Sequence, residues 1–112
     1  MAVAHTSKIE FKVGLDENKI PEKIHWSAQD NNIKNEEAKA ILVSVWNPES
    51  KETLKMDLWT KDMPLDEMRH FFYQTLVSMA DTFERATNDE KMSATMRDFC
   101  DFFAEKLELK KK

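Results

Sequence analysis

The chain has 112 residues, of which 41% are hydrophobic and 34% charged, with a net charge of -4. That is enough for a single domain with its own core and too apolar for disorder, and the overall charge repels nucleic acid and acidic lipid headgroups. One glycine in the whole chain leaves no phosphate-cradling loop, and no uninterrupted apolar run is longer than that at residues 40–43, far short of the roughly 20 needed to cross a bilayer.

Residues 1–7 have neither the charged start nor the apolar stretch of a secretory signal, which points to the cytoplasm. From Ile9 the pattern alternates. Ile9, Phe11, Val13 and Leu15 share one side of a half-buried strand, and Glu10, Lys12 and Gly14 share the other. A polar turn over residues 16–21 leads to a second strand, antiparallel to the first, in which Ile24, Trp26 and Ala28 alternate with Lys23, His25 and Ser27. Residues 29–37 are polar throughout and read as a loop, with Asp30, Asn31 and Asn32 suited to bonding local backbone.

The third strand, residues 38–46, is apolar on both sides: Ile41, Val43 and Val45 on one, Ala40, Leu42 and Trp46 on the other. Both faces then need cover, one from the chain itself and the other from a second copy or another protein. A turn around Asn47 and Pro48 returns the chain into a fourth strand, in which Leu54, Met56 and Leu58 oppose Lys55, Asp57 and Trp59. These two strands form a hairpin.

Pro64, followed by Asp66 and Glu67, marks a helix start. On a 3.6-residue period Leu65, Met68, Phe72, Leu76, Met79 and Phe83 make one stripe, read as facing the sheet, and Tyr73, Val77 and Ala80 make a second line suited to a neighbouring helix. Asn88 or Asp89 caps a second helix over residues 89–109, with Met92, Met96, Phe99, Phe103 and Leu107 on its apolar side and Cys100 as a buried apolar residue. Lys110, Lys111 and Lys112 then lie at its negative end. The fold class is thus α+β: residues 1–112 as one domain, a four-stranded antiparallel sheet over 9–59, and two C-terminal helices over 64–109 packed on one of its faces.

No reaction is written in these residues. His5, His25 and His70 fall in three separate elements without metal-ligand spacing, and the carboxylates are interleaved with lysines and arginines as on a solvated face, with Glu84 and Arg85 placed to pair with charges on the sheet edge. Hydrolase, kinase and dinucleotide-binding motifs are absent, so no catalytic residue, metal or cofactor is expected. The apolar residues left off the main stripes, together with the surplus face of the third strand, give the candidate partner-binding set: Ile41, Val43, Val45, Trp46, Trp59, Phe71 and Val77.

Three strings carry a family likeness: Phe11-Lys12-Val13-Gly14-Leu15-Asp16-Glu17-Asn18 with Pro21-Glu22-Lys23-Ile24; Glu36-Glu37-Ala38-Lys39-Ala40; and Asp57-Leu58-Trp59-Thr60-Lys61-Asp62-Met63-Pro64. Gln74-Thr75-Leu76 and residues 79–87 continue it. On these residues the chain resembles the gliding motility protein GldC family. The resemblance implies a part in bacterial surface gliding and its associated secretion apparatus, and no catalytic residues to carry over. The order of elements is also similar to that of the export chaperone SecB, a likeness of fold alone.

Together these readings predict a non-enzymatic cytoplasmic accessory protein of gliding motility. It acts by binding a protein of the gliding machinery, as adaptor or in a chaperone-like way, and associates with itself through the sheet, with no nucleic-acid partner and no insertion into a membrane. The alternative is a small-ligand-binding protein or enzyme with a pocket between sheet and helices, lined by Trp26, Trp46 and Trp59.

Overall fold

The computed structural model describes residues 2–109. Five strands precede two helices: β1 (Ile9–Leu15), β2 (Pro21–Ala28), β3 (Ile33–Ala38), β4 (Ala40–Asn47), β5 (Glu52–Trp59), α1 (Leu65–Thr87) and α2 (Glu90–Lys106). The α+β class, the antiparallel pairing and the two C-terminal helices are as expected. The single four-stranded sheet is not: the strands form a three-stranded sheet, β1-β2-β3, and a separate two-stranded one, β4-β5. The chain divides into two compact units, Met1–Met63 and Pro64–Lys112.

The extra strand comes out of the segment read as a loop. After a 3₁₀ turn over Gln29–Asn31, Asn32 takes a left-handed conformation (φ 56°) and reverses the chain, and Ile33–Ala38 then pairs antiparallel with β2. Asn35 is also left-handed (φ 53°), and its N–H donates to Ser27 Oγ at 2.9 Å. The register slips between Trp26 and Ala28, the partner residues flanking Ser27, so a bulge removes the alternation by which a strand is recognised. The strand read as residues 38–46 accordingly splits at Lys39, with Ala38 ending β3 and Ala40 beginning β4.

Within the three-stranded sheet Val13, Ile24 and Ala38 are level across β1, β2 and β3, and Phe11 stacks on Trp26 with ring centroids 6.0 Å apart. Ile24 is fully buried and Ala28 nearly so, while Ile9 and Leu15 at the two ends of β1 stay exposed. The β1–β2 connection is held by Asp16, whose Oδ1 accepts from the N–H groups of Asn18 (2.8 Å) and Ile20 (3.0 Å). Asn47 does the same for the β4–β5 turn, accepting from Glu49 and Ser50 at 2.9 and 3.1 Å.

In the helical unit Pro64 stands just before α1 rather than inside it, and α1 ends on a left-handed Asn88 whose N–H returns to the Glu84 carbonyl. Asp89 caps α2 by accepting from Met92 N–H at 3.0 Å. α2 ends at Lys106, short of the expected 109, because Glu108 turns left-handed and Leu109 N–H bonds back to the Ala104 carbonyl. The reading of Lys110, Lys111 and Lys112 as charges at a helix end lies outside the described residues.

The helices meet along small side chains: Ala80 on α1 and Ser93, Cys100 and Ala104 on α2 are the buried positions. The line of Tyr73, Val77 and Ala80 thus ends on a buried seam residue. Of the stripe read as facing the sheet, Leu65, Phe72 and Met79 are exposed. Arg97 of α2 reaches Asp81 and Glu84 of α1, both at 2.8 Å. Glu84 therefore pairs across the helical hairpin.

Candidate protein-binding surface

The β4–β5 register fixes which side chains share a face. Ile41 lies opposite Leu58, Val43 opposite Met56 and Val45 opposite Leu54, so one face is an unbroken apolar ladder with no charge among its six side chains. Cover along it falls steeply. Ile41 at the base is 8% exposed, Leu58 and Val43 are half-buried, and Met56, Val45 and Leu54 toward the turn are 45%, 54% and 57% exposed. Covering apolar groups so exposed is favourable by about 25 cal/mol per Å².

The opposite face is mixed. Ala40 pairs with Trp59, Leu42 with Asp57, Ser44 with Lys55 and Trp46 with Thr53, and Lys55 and Asp57 form a 2.8 Å ion pair between them. Trp46 and Trp59 are both exposed and stand at opposite ends, roughly 20 Å apart at strand spacing. The expectation that both sides of this strand are covered is not met: the chain buries one side at Ile41 alone, Val45 and Trp46 lie open on opposite sides, and Trp59 beside Ala40 is open as well.

A polar knot anchors that base, where Lys39, Thr60, Lys61 and Asp62 come against the β1–β2 turn. Thr60, buried, donates its N–H to the Lys39 carbonyl at 2.8 Å and its hydroxyl to Asp62 Oδ1 at 2.7 Å, and Lys39 Nζ meets Asp62 Oδ2 at 3.0 Å. Lys61 N–H donates to the Pro21 carbonyl at 3.1 Å, and its Nζ meets Asp16 Oδ2 at 3.0 Å. The Asp16 carboxyl is held below its ordinary pKa, first by the Ile20 N–H and then by Lys61, and Lys61 is raised in turn by Asp16. Asp62 is lowered by the Thr60 hydroxyl and then by Lys39. All three shifts favour the charged forms, so the knot is a set of fixed ion pairs and not a group poised to exchange protons at neutral pH.

The remaining candidates lie in the helical unit. Phe71, half-buried, lines an open groove of about 630 Å³ along α1 with Met79, Phe83 and Ala86, closed on one side by Met96 of α2 and rimmed by Gln74, Ser78 and Thr82. Val77 is half-buried and does not line it. The structure thus joins Ile41, Val43 and Val45, sets Trp46 and Trp59 on the reverse of the same hairpin, and leaves Phe71 and Val77 on a different unit. Leu54 and Met56 were missing from the candidate set. Their alternation was visible, but only the register shows that they complete the ladder.

His5 lies 3.3 Å from Asp30 at the surface, and among the described residues no three His, Cys, Asp or Glu side chains are grouped so as to hold a metal. No helix among them is long and apolar enough to cross a membrane. These features define a class: a small α+β protein in which a three-stranded sheet and a β-hairpin with an open apolar face precede a helical hairpin. Residues 21–109 match the family described as Gliding motility-associated protein GldC-like, and the chain belongs to that family. The match takes in the strings around Glu36, Asp57 and Met79 and begins at Pro21, after the string at 11–18. No curated protein and no solved structure matches the chain.

Proposed function

We propose that this GldC-family chain is a non-enzymatic, cytoplasmic accessory protein of gliding motility that works by binding another protein, as adaptor or chaperone-like holder. The carrying observation is the charge-free ladder of the β4–β5 hairpin, open at Val45, Leu54 and Met56. Exposed apolar ladders of this kind cost solubility and are kept where a partner covers them. The membership in a family named for gliding supplies the process.

The test is to place Val45→Lys with Leu54→Glu, opposite charges on a direct cross-strand pair, in a gliding host as the only copy of the protein. Both residues are more than half exposed, so the substitutions leave folding within about 0.5 kcal/mol of the parent. Gliding should be lost while the protein stays at its normal level. Normal gliding by that variant would remove the hairpin face from the function.

A further inference from the structure

We propose that β4 is a self-pairing edge, adding antiparallel to β4 of a second copy to give one sheet of order β5-β4-β4-β5; this rests on the protein-binding reading above and names one partner of that same hairpin. Each of the other strands with an unpaired edge is guarded by charge. β1 carries Glu10 and Lys12, β3 carries Lys34, Glu36 and Glu37, and β5 carries Glu52, Lys55 and Asp57. β4 reads Ala-Ile-Leu-Val-Ser-Val-Trp-Asn, with no charge and no proline. Charges and prolines are what keep an open edge from pairing, so β4 alone among these edges is undefended. Among the described residues it pairs as a strand only with β5.

A two-stranded ribbon of eight residues a side is marginal in water, whereas four strands sharing an apolar face support themselves. The side chains of β4 also suit its own copy. A twofold axis normal to the sheet keeps each face on its own side, so odd-numbered residues meet odd and even meet even. Centred on Val43, that axis puts Ile41 opposite the second copy's Val45, which continues the apolar ladder across both molecules. On the reverse face it puts Ala40, already beside Trp59, opposite the second copy's Trp46. The smallest side chain of the strand then lies between two indoles. No like charges meet anywhere along the seam, because β4 has none.

The arrangement makes a distance prediction. Ser44, exposed, falls next to the axis, and the two copies of it lie diagonally across the seam at about 7–8 Å, whereas Ser50 at the turn is separated from its mate by about 40 Å. The purified full chain should be a dimer by light scattering. Ser44→Cys should give a covalent dimer with a short bismaleimide and Ser50→Cys should not, against the background of the parent chain, whose sole cysteine is the buried Cys100. Val43→Lys, which sets two ammonium groups against each other at the axis, should weaken the dimer at least tenfold with the circular dichroism spectrum retained. A monomeric parent chain, or a dimer that links through Ser50→Cys and not Ser44→Cys, overturns the pairing. If such a monomer still loses gliding on Val45→Lys with Leu54→Glu, the self-pairing is wrong while the hairpin remains a surface for another protein.

Discussion

Ile24 is the test of how the strand-bearing unit is held together. It is fully buried in the middle strand of the three-stranded sheet, level with Val13 on one side and Ala38 on the other. Ile24→Ala removes three carbons, worth about 2.4 kcal/mol in transfer alone at ~0.8 kcal/mol each. The void adds to this, because β1 and β3 are fixed in register and cannot close over it, and the total should be about 3–4 kcal/mol. That is a large part of the ~5–15 kcal/mol by which a domain of this size is stable. Val45→Ala, at a site 54% exposed on the same unit, should cost less than about 1 kcal/mol. Urea unfolding followed by tryptophan fluorescence reports directly, since Trp26 lies beside Ile24 on β2 and stacks on Phe11. Equal losses for Ile24→Ala and Val45→Ala would refute the view that the core sits on β2 and the hairpin face is open.

Further outcomes concern the polar knot and the helix ends. Asp16 and Asp62 titrate lower in the folded chain than in the unfolded one, so their contribution is whole above the ordinary carboxylate range and is lost as pH falls through their lowered values; Lys61, raised, contributes fully below the ordinary lysine range and is lost as pH rises through its higher one. The urea midpoint should therefore be level through neutral pH and fall in acid, and Asp16→Asn should flatten the acid limb; an unchanged limb would show that the knot adds nothing. In the helical unit, Asp89→Ala should cost about 1 kcal/mol by thermal melting through loss of the α2 cap, while Asn88→Gly should be nearly neutral at φ 60°.

Where the sequence pattern was regular the fold could be read from it, and where local backbone geometry broke the pattern it could not. The alternation of Ile9, Phe11, Val13 and Leu15 marked β1, and the apolar runs either side of Asn47 and Pro48 marked the β4–β5 hairpin. β3 was hidden for two reasons. Four of its six residues are Lys34, Asn35, Glu36 and Glu37, and the left-handed Asn35 breaks the two-residue period at the point where it would have shown. With β3 read as loop, a single sheet was the natural inference, although Lys39 in fact divides one apolar stretch between two sheets. The helices were read to within a few residues, because Pro64, Asn88 and Asp89 announce their ends chemically. Their packing was less legible. Phe and Met dominate the hydrophobic pattern of α1 and α2, yet the seam runs through Ala80, Ser93, Cys100 and Ala104, whose small size lets the backbones approach and gives almost no signal in hydrophobicity. For the candidate surface, Ile41, Val43 and Val45 were found by alternation, and Leu54 and Met56 were missed because cross-strand register is not a property of either strand alone.

The knot and the ladder are parts of one arrangement. Thr60, Lys61 and Asp62 directly follow β5, and Lys39 directly precedes β4, so the ion pairs grip both strands of the hairpin at the end where Ile41 is buried. Beyond Val43 the β4–β5 ladder and the Asn47 turn hold the two strands together, and Val45, Leu54 and Met56 there are open to water. A ribbon fixed at one end and bare at the other opens from the bare end, so the free energy of local opening must fall from Ile41 toward Leu54. A partner that covers the tip therefore meets strands already in register and has little chain to order, which lowers the entropic cost that otherwise weakens binding to flexible segments. If the tip binds a protein as proposed, loosening the knot by loss of Lys61 or Asp16 should for the same reason weaken that binding at Val45 and Leu54, which lie at the other end of the hairpin.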